Sequence, residues 1–325
     1  MFDLISIGEP LVQLNPLDEG PIRHVSLFEK HVAGSETNIV IGLSRLGLRT
    51  ALVSKIGKDE LSKSIYSTLK AEGVDVSWVQ QIDKKNCGIF FVQRNYPVPG
   101  RSDVIYFRGD AAARLLSPED LPIQAIKSSR SLHVSGITPA LSESCRSACR
   151  SAIEIAKKNK VTVSFDTNYR KKLWSPEEAR PVLKEMSEKA DILFLDPDDA
   201  SLIQGRRLAD SGEIFRVFKN LGPETIVLKL GAAKGLIART RDGEEVTSTP
   251  ARVPVHDSIG AGDAVVVGFM GGYLLKETLQ KSLDMASACS ALVVMRRGDY
   301  ENLPDREYLE IWLKAREKNF DFDPR

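Results

Sequence analysis

Short apolar runs rich in β-branched residues alternate along the chain with longer stretches of amphipathic, helical pattern. We predict strands at residues 4–7, 51–56, 132–135, 161–165, 192–195, 225–229 and 236–239. Helical periodicity marks residues 143–159, 176–187 and 210–220, and a charged amphipathic helix is predicted at 305–319. Strands that alternate with helices of this length are typical of βαβ units. They predict an α/β fold with a mainly parallel central sheet covered by helices on both faces.

Two segments interrupt this alternation. Residues of about 9–33 and 87–109 are extended in character and carry no helical pattern, with period-two patterning at 88–94 and 104–108. We predict that they form a small β-sheet that projects from the main domain as a lid over a substrate site. The alternative is a pair of surface hairpins. With the lid included, residues 1–325 are expected to form a single domain.

Composition and charge narrow the classes of function. Lysine and arginine total 45 against 44 acidic residues, a net charge of +1, which gives no basic footprint for nucleic acid or an anionic membrane. The four cysteines form no CxxC pair and are too few for a disulfide framework, which favours a reducing compartment. We find no signal peptide and no run near the roughly 20 apolar residues of a membrane span. These features predict a soluble, cytoplasmic protein.

Residues 257–263, with the sequence DSIGAGD, directly precede an apolar helical stretch. Gly260 and Gly262 allow a tight turn and a close approach of backbone to ligand, on either side of Ala261. The free N–H groups and the helix dipole then favour an anion such as a phosphoryl group in transfer. Asp263, at the rim, can accept the proton of an attacking hydroxyl. Taken alone, such a segment is equally an ordinary glycine-rich loop.

Two further motifs place polar side chains next to predicted elements. Gly34, Ser35 and Asn38 stand at the start of an apolar helix, where they either bind sugar hydroxyls or only cap the helix. Asn168 and Arg170 follow the strand 161–165, at the edge where ligands of open α/β sheets bind. There they suit phosphate oxygens or a carboxylate, the alternative being a solvated basic loop.

Two other motifs are less specific. Lys229, Gly231 and Gly235 follow a strand, and they either wrap nucleotide phosphates or form a hairpin turn. Tyr106 and Arg108 are two apart on a strand and therefore share a face, where they offer a hydroxyl and a cation to an acidic sugar. The alternative is a half-exposed strand with a salt-bridging arginine. The four histidines lack metal-ligand spacing, and we expect them to be structural.

The motif D-[ST]-x-G-A-G-D at 257–263 and the motif G-x-x-x-N at 34–38 together resemble the two signatures of the ribokinase-like (PfkB) carbohydrate kinases. Residues 8–11, 28–36, 106–108, 135–138, 166–170, 196–199 and 297–299 resemble the archaeal-type 2-keto-3-deoxygluconate kinases of that family. The chain departs from the family pattern with Ala33 in place of a first glycine, with GxxxG spacing at 231–235, and with Phe90 where relatives often have tyrosine.

This resemblance implies a ribokinase-like fold, ATP and Mg²⁺ as cofactors, and a homo-oligomer formed through the β lid. It implies Asp263 as the catalytic residue and a set of substrate contacts: Gly34, Ser35, Asn38, Phe90, Tyr106, Arg108, Arg170, Asp263 and Asp299. Nucleotide contacts are implied at Asn168, Asp196, Lys229, Gly231, Gly235, Gly260, Ala261 and Gly262. The magnesium ligands are left open, with Asp199 as a candidate.

The reaction we predict is ATP-dependent phosphorylation of 2-keto-3-deoxygluconate, with its galactonate epimer as a second acceptor, on the C6 hydroxyl. The alternative is a kinase for a neutral sugar such as fructose or ribose, which offers no carboxylate to Arg108 and Arg170. A non-catalytic sugar sensor is disfavoured because Asp263 and its glycines are present. A Rossmann dehydrogenase is disfavoured because no GxGxxG follows the first strand.

Overall fold

The computed structural model describes residues 1–98, 102–231, 234–249 and 251–317. Strands in these ranges are β1 (Leu4–Ile7), β2 (Leu11–Pro16), β3 (Phe28–Ala33), β4 (Thr50–Ile56), β5 (Asp75–Gln81), β6 (Gly88–Arg94), β7 (Ser102–Phe107), β8 (Ser131–Ser135), β9 (Thr162–Asp166), β10 (Ile192–Leu195), β11 (Thr225–Lys229), β12 (Leu236–Thr240) and β13 (Glu245–Ser248). The α-helices are α1 (Ser35–Arg45), α2 (Glu60–Ala71), α3 (Ile123–Ser128), α4 (Glu143–Lys158), α5 (Pro176–Lys189), α6 (Pro197–Gln204), α7 (Ser211–Lys219), α8 (Ala261–Leu274), α9 (Leu279–Val293) and α10 (Arg306–Glu317).

Nine strands form one large sheet in the order β13-β12-β11-β10-β9-β8-β1-β4-β5. The seven strands from β11 to β5 in that order pair in parallel, and β12 and β13 add antiparallel at one edge. Two buried apolar clusters pack against it, one with α1, α8 and α9 and the other with α4, α5 and α7. The predicted α/β fold, with helices on both faces of a mainly parallel sheet, is confirmed.

A separate four-stranded sheet has the order β3-β2-β6-β7. Its strands come from the two segments that interrupt the alternation, and parallel pairing of β2 with β6 joins them. They therefore form one small sheet and not two independent hairpins. In the register, Phe90 lies opposite both Gln13 and Tyr106, so these three side chains share a face. Phe91, the next residue along β6, points to the other face.

The predicted strands of the large sheet agree with the observed ones to within one residue at each end. The pattern did not predict two strands of this sheet, β5 and β13, or the helices α2, α3, α6 and α9. Only Ser62, Ile65 and Leu69 of α2 are buried, so its apolar stripe is too narrow to stand out in the sequence. The last helix ends at Glu317, and the predicted residues 318–319 lie outside the described ranges.

The parallel strands end together at one edge of the large sheet. Ser135, Asp166 and Lys229 are the last residues of β8, β9 and β11. Leu11 and Phe90 of the small sheet border the same cleft as Lys229. The fold thus brings a strand-end edge and one face of the small sheet together. Every helix within the described ranges is too short or too polar to cross a lipid bilayer.

Candidate active site

A cleft of about 730 Å³ lies between the strand-end edge of the large sheet and the small sheet. Most of the residues predicted to form the site line it: Gly34, Ser35, Phe90, Tyr106, Arg108, Asn168, Arg170, Asp196, Lys229, Gly231, Gly260, Gly262, Asp263 and Asp299. Asn38 reaches the cleft through a hydrogen bond to Asp263, and Ala261 begins α8 between the two glycines. Gly235 does not line the cleft.

The loop before α8 has the geometry of an anion site. Gly260 has φ of +82°, and a Cβ there would lie 2.6 Å from the carbonyl oxygen of Asp299, so only glycine fits. A Cβ on Gly262 would instead enter the cleft, with only Lys229 Nζ nearby at 3.9 Å. The amides of Gly262 and Asp263 donate no hydrogen bond to any other described residue. The start of α8 therefore presents free N–H groups and the positive end of its dipole to the cleft.

Asp263 lies in the first turn of α8 and is held by side chains of α1. Ser35 Oγ donates to Oδ1 at 2.7 Å, and Asn38 Nδ2 donates to Oδ2 at 2.8 Å. Asn168 Nδ2 donates to Ser35 Oγ at 3.1 Å, so the strand-end loop after β9 supports the same group. Gly34 has φ of +121° and packs against the backbone of Glu9, which brings α1 close to the small sheet. The carboxylate is thereby oriented in an open cleft.

A buried ion pair stands beside the anion site. Lys229 Nζ donates to both carboxylate oxygens of Asp166, at 2.7 and 2.9 Å, across the intervening strand β10. Burial raises the pKa of Asp166 to about 6, in opposition to the charge of Lys229. Burial by itself would lower the pKa of Lys229, but the charge of Asp166 raises it above its usual value. Lys229 therefore remains a cation that faces the cleft.

The two arginines predicted to bind a carboxylate differ in environment. Arg108 is 5% exposed, forms an ion pair with the buried Glu9, and has its guanidinium carbon 5.0 Å from the ring centroid of Tyr106. Burial raises the pKa of Glu9 despite this pair. Arg170 is exposed at the mouth of the cleft and has no ion-pair partner among the described residues. The salt bridge named in the alternative interpretation is present, but Arg108 follows the last residue of β7 and is buried, not half-exposed. Its contact with a substrate carboxylate stays a prediction.

Asp299 lies close to Asp263 and is 4% exposed. Asn38 Nδ2 bridges the two carboxylates, donating to Asp299 Oδ2 at 3.3 Å. Burial, and then the charge of Asp263, raise the pKa of Asp299 to about 8. A second donor, Gln13 Nε2, reaches Asp299 Oδ1 at 3.0 Å from strand β2. Sequence reasoning missed Gln13, because a polar residue in an alternating strand is ordinarily predicted to face solvent.

The segment after β11 is a hairpin turn. Lys229 and Leu236 are paired antiparallel, and Gly235 N donates to the carbonyl of Gly231 at 2.9 Å. Residues 232–233 lie outside the described ranges. Gly231 borders the cleft whereas Gly235 closes the turn. Gly235 therefore lies in a hairpin turn, as the alternative interpretation predicted. A nucleotide contact at Gly235 stays a prediction.

Carboxylates that suit a cation follow β10. Asp196, Asp198 and Asp199 line the cleft, although Asp196 Oδ1 already accepts from the amide of Asp199 as the N-cap of α6. Asp199 Oδ2 accepts from Thr167 Oγ1 at 2.6 Å. In the part of the chain that the structure describes, no three His, Cys, Asp or Glu side chains are grouped so as to hold a metal ion.

The chain is similar in sequence to known proteins over nearly its whole length. Residues 1–306 match the pfkB family of carbohydrate kinases. The chain is 41% identical to the 2-dehydro-3-deoxygluconokinase of Thermoproteus tenax over 317 residues, 97% of this chain and 95% of that protein. It is 31% identical to a 5-dehydro-2-deoxygluconokinase of Halalkalibacterium halodurans, over 97% and 96% of the two chains. It is 30% identical to the 2-dehydro-3-deoxygalactonokinase of Haloferax volcanii, over 91% and 92%.

Solved structures agree with this match. The 2-dehydro-3-deoxygluconokinase of Thermotoga maritima superposes with a TM-score of 0.89 at 25% identity, and the match covers 97% of this chain and 100% of that one. A putative ribokinase II from E. coli, solved in complex with ATP and Mg²⁺, superposes with a TM-score of 0.88 at 24% identity, over 97% and 100%. The second likeness concerns the fold alone.

Proposed function

Because the chain belongs to the PfkB family of carbohydrate kinases, we propose that it phosphorylates 2-keto-3-deoxygluconate (also named 2-dehydro-3-deoxygluconate) with ATP. The product is the 6-phosphate, and the galactonate epimer is a second acceptor. One observation carries the proposal: a single cleft holds an oriented carboxylate at Asp263, free amides beside it, and the cations Arg108 and Arg170. The relative that is 41% identical bears the name of this activity.

Asp263 is the general base of the proposed reaction. Hydrogen bonds from Ser35 and Asn38 stabilise its carboxylate and hold it in one orientation, so that it can accept the proton of the C6 hydroxyl. The hydroxyl oxygen then forms a bond to the γ-phosphorus as the bond to the leaving oxygen of ADP breaks. The proton on Asp263 is released to solvent after the product leaves.

Charge on the transferring group is stabilised by the start of α8. The free amides of Gly262 and Asp263 would donate to the phosphoryl oxygens as these gain charge, and Lys229, whose Nζ lies beside Gly262, would add a cation. When bound with the nucleotide, Mg²⁺ would neutralise phosphate charge. The open space at Gly262, which a Cβ would fill, and the carboxylates of Asp196 and Asp199 fit an ATP–magnesium complex at this edge.

Arg108 and Arg170 account for the preference for an acid. A neutral sugar has no carboxylate to bind, so these cations would add nothing to its affinity. Arg170 is free to bind directly, whereas Arg108 would share its guanidinium between Glu9 and the substrate, which its five N–H donors permit. Phe90 and Tyr106 would pack against the carbon chain of the sugar.

The experiment that tests this function is an ADP-release assay with purified protein. The acceptors are 2-keto-3-deoxygluconate, its galactonate epimer, 5-dehydro-2-deoxygluconate, fructose and ribose. We expect the highest kcat/KM for the first two. A preference for fructose or ribose would replace this function with that of a neutral-sugar kinase, and a preference for 5-dehydro-2-deoxygluconate would keep the sugar-acid class but change the substrate.

We also propose that the small sheet is a lid and that a second copy of the chain covers its outer face. Phe91 contacts Phe28 and Phe107 on the face away from the cleft, with centroid distances of 5.3 and 5.7 Å, and Phe107 is 62% exposed. Phe28 and Phe91 are half-buried, so the row is exposed mainly at Phe107, and an exposed aromatic side chain on a sheet face favours association. The reducing, cytoplasmic location predicted from sequence is supported by four free cysteines, all of them buried.

A further inference from the structure

The inner face of the small sheet carries a series of buried polar side chains that are hydrogen-bonded to one another. The series leads to residues 257–263 before α8, which we call the catalytic loop. Leu11 and Phe90 occupy that face where it borders the cleft, and Gln13, Asn15 and Arg94 occupy it further along the same strands. Gln13 and Asn15 are both 0% exposed. Amide side chains buried to this degree destabilise a fold unless their hydrogen bonds are made, so their partners indicate what they do.

Each partner leads toward the site. Asn15 Nδ2 donates to Asp257 Oδ2 at 2.8 Å and to Gln13 Oε1 at 3.1 Å. Gln13 Nε2 donates in turn to Asp299 Oδ1 at 3.0 Å. Asp257 Oδ1 accepts the amide of Ile259 at 3.1 Å, which fixes the turn that leads into Gly260. The side-chain amides of Asn15 and Gln13 thus hold both the catalytic loop and the carboxyl group of Asp299, which lies beside Asp263.

Arg94 sets the direction of this series. A guanidinium only donates, and Arg94 Nη2 donates to Asn15 Oδ1, so the Oδ1 atom of Asn15 must face Arg94. The NH₂ group of Asn15 must then face Asp257 and Gln13. Gln13 in turn receives this hydrogen bond on its oxygen and presents its own NH₂ group to Asp299. The buried cation of Arg94 and the carboxylate of Asp257 therefore require the same orientation, in which the NH₂ groups of both amides face Asp257 and Asp299.

We propose that Arg94, Asn15 and Gln13 form a positioning relay that holds the catalytic loop and Asp299 in the geometry required for phosphoryl transfer. The inference rests on the proposed kinase function but does not depend on which acceptor is used. Packing alone would be served by apolar residues, as it is by Leu11 and Val92 on the same face. The polar series instead links the small sheet to the reacting groups.

The test compares variants of closely similar size. Asn15→Leu removes both hydrogen bonds that Asn15 Nδ2 donates. Gln93→Leu is the control, because Gln93 makes its hydrogen bonds to the backbone of Ile22 and Tyr96, in the segments that follow β2 and β6. Loss of a hydrogen bond to a charged group predicts that Asn15→Leu lowers kcat roughly 10- to 150-fold. We expect the KM for ATP to change little and the control to keep the kcat of the wild type. A kcat for Asn15→Leu equal to that of the control, with only thermal stability lost, would make the role purely structural.

A second pair of variants tests the orientation and does not depend on the folding of Asn15→Leu. Arg94→Lys keeps a cationic donor toward Asn15 Oδ1, whereas Arg94→Met removes the donor that holds Oδ1 in place. We expect a higher kcat in Arg94→Lys than in Arg94→Met at comparable folded fractions. Equal kcat in the two would overturn the relay.

These measurements use whichever acceptor the wild type phosphorylates fastest. If that acceptor is a neutral sugar, the proposed substrate is wrong while the relay is still measured. If the wild type phosphorylates none of the sugars, slow hydrolysis of ATP supplies the rate, because water then takes the place of the acceptor at the same loop. Loss of that hydrolysis in Asn15→Leu, but not in Gln93→Leu, would still support the relay.

Discussion

Arg108 offers the most informative perturbation, because its ion pair makes two separate effects measurable. Its side chain is 5% exposed and that of Glu9 is 1% exposed. Replacing Arg108 with methionine keeps most of the side-chain volume but leaves a buried carboxylate without its counterion. Breaking a buried pair in this way costs about 3–5 kcal/mol of folding free energy. We therefore expect Arg108→Met to be less stable than the wild type in urea or thermal unfolding.

The second effect concerns specificity. If Arg108 also binds the substrate carboxylate, Arg108→Met loses a charge-assisted hydrogen bond worth roughly 1.5–3 kcal/mol. The kcat/KM for 2-keto-3-deoxygluconate should then fall about 10- to 150-fold, with little change for fructose. The double variant Glu9→Gln/Arg108→Met has no unpaired charge, so we expect most of the stability to return while the sugar-acid kcat/KM stays low. Both assays use the same preparations of protein.

Three outcomes separate the alternatives. An unchanged ratio of kcat/KM for 2-keto-3-deoxygluconate over fructose in Arg108→Met would refute the proposed role in reading the carboxylate. A ratio that falls in the single variant and recovers in the double variant would assign the effect to the ion pair with Glu9. Arg206→Met serves as the control, because Arg206 is exposed and pairs with Glu213 on the surface, and it should change neither quantity.

Four further predictions follow from the site. Asp263→Asn keeps the shape and removes the base, so kcat should fall by about 10²–10⁴-fold with ATP affinity little changed; near-normal turnover would exclude Asp263 as the base. Arg170→Ala should lower kcat/KM for the sugar acid about 10- to 150-fold, and a parallel rise in KM for ATP would assign Arg170 to phosphate instead. Light scattering should give a mass above the 35.9 kDa of one chain, and the mass should fall toward that value in Phe107→Lys. A wild-type monomer at micromolar concentration would contradict the proposal that a second copy covers the outer face of the small sheet. Burial raises the pKa of Asp299 to about 8 from its usual 3.8. Between these two pH values the native protein retains a proton that the unfolded chain releases. The free energy of unfolding that this group contributes therefore falls as the pH rises from about 4 to 8. Asp299→Asn should remove that part of the slope in denaturant unfolding measured across this range, and an unchanged slope would show that Asp299 does not titrate there.

Much of the fold follows from local pattern. Seven of the nine strands of the large sheet, and the helices with a strong amphipathic or apolar pattern, are encoded by runs of a few residues whose periodicity differs between the two elements, so the sequence alone predicts them closely. The loop at Gly260 and Gly262 is equally local, because a positive φ and a close backbone approach restrict the residue type within a few positions. Both the α/β architecture and the tight turn at Gly260 could therefore be derived from sequence, whereas anion binding by this loop stays a prediction.

The pairing of side chains that are distant in sequence could not be derived in this way. Arg108 meets Glu9, and Asn15 meets Asp257, only because β2 and β6 pair in parallel in one register and the small sheet packs over the strand ends of the large one. A shift of one residue in that register would turn Gln13 and Asn15 to the opposite face. Sequence pattern shows that a strand alternates, but not which of its faces is buried when both carry polar and apolar residues. Tertiary packing determines which face is buried. In β2 it buries Gln13 and Asn15, and their hydrogen bonds then support the catalytic loop.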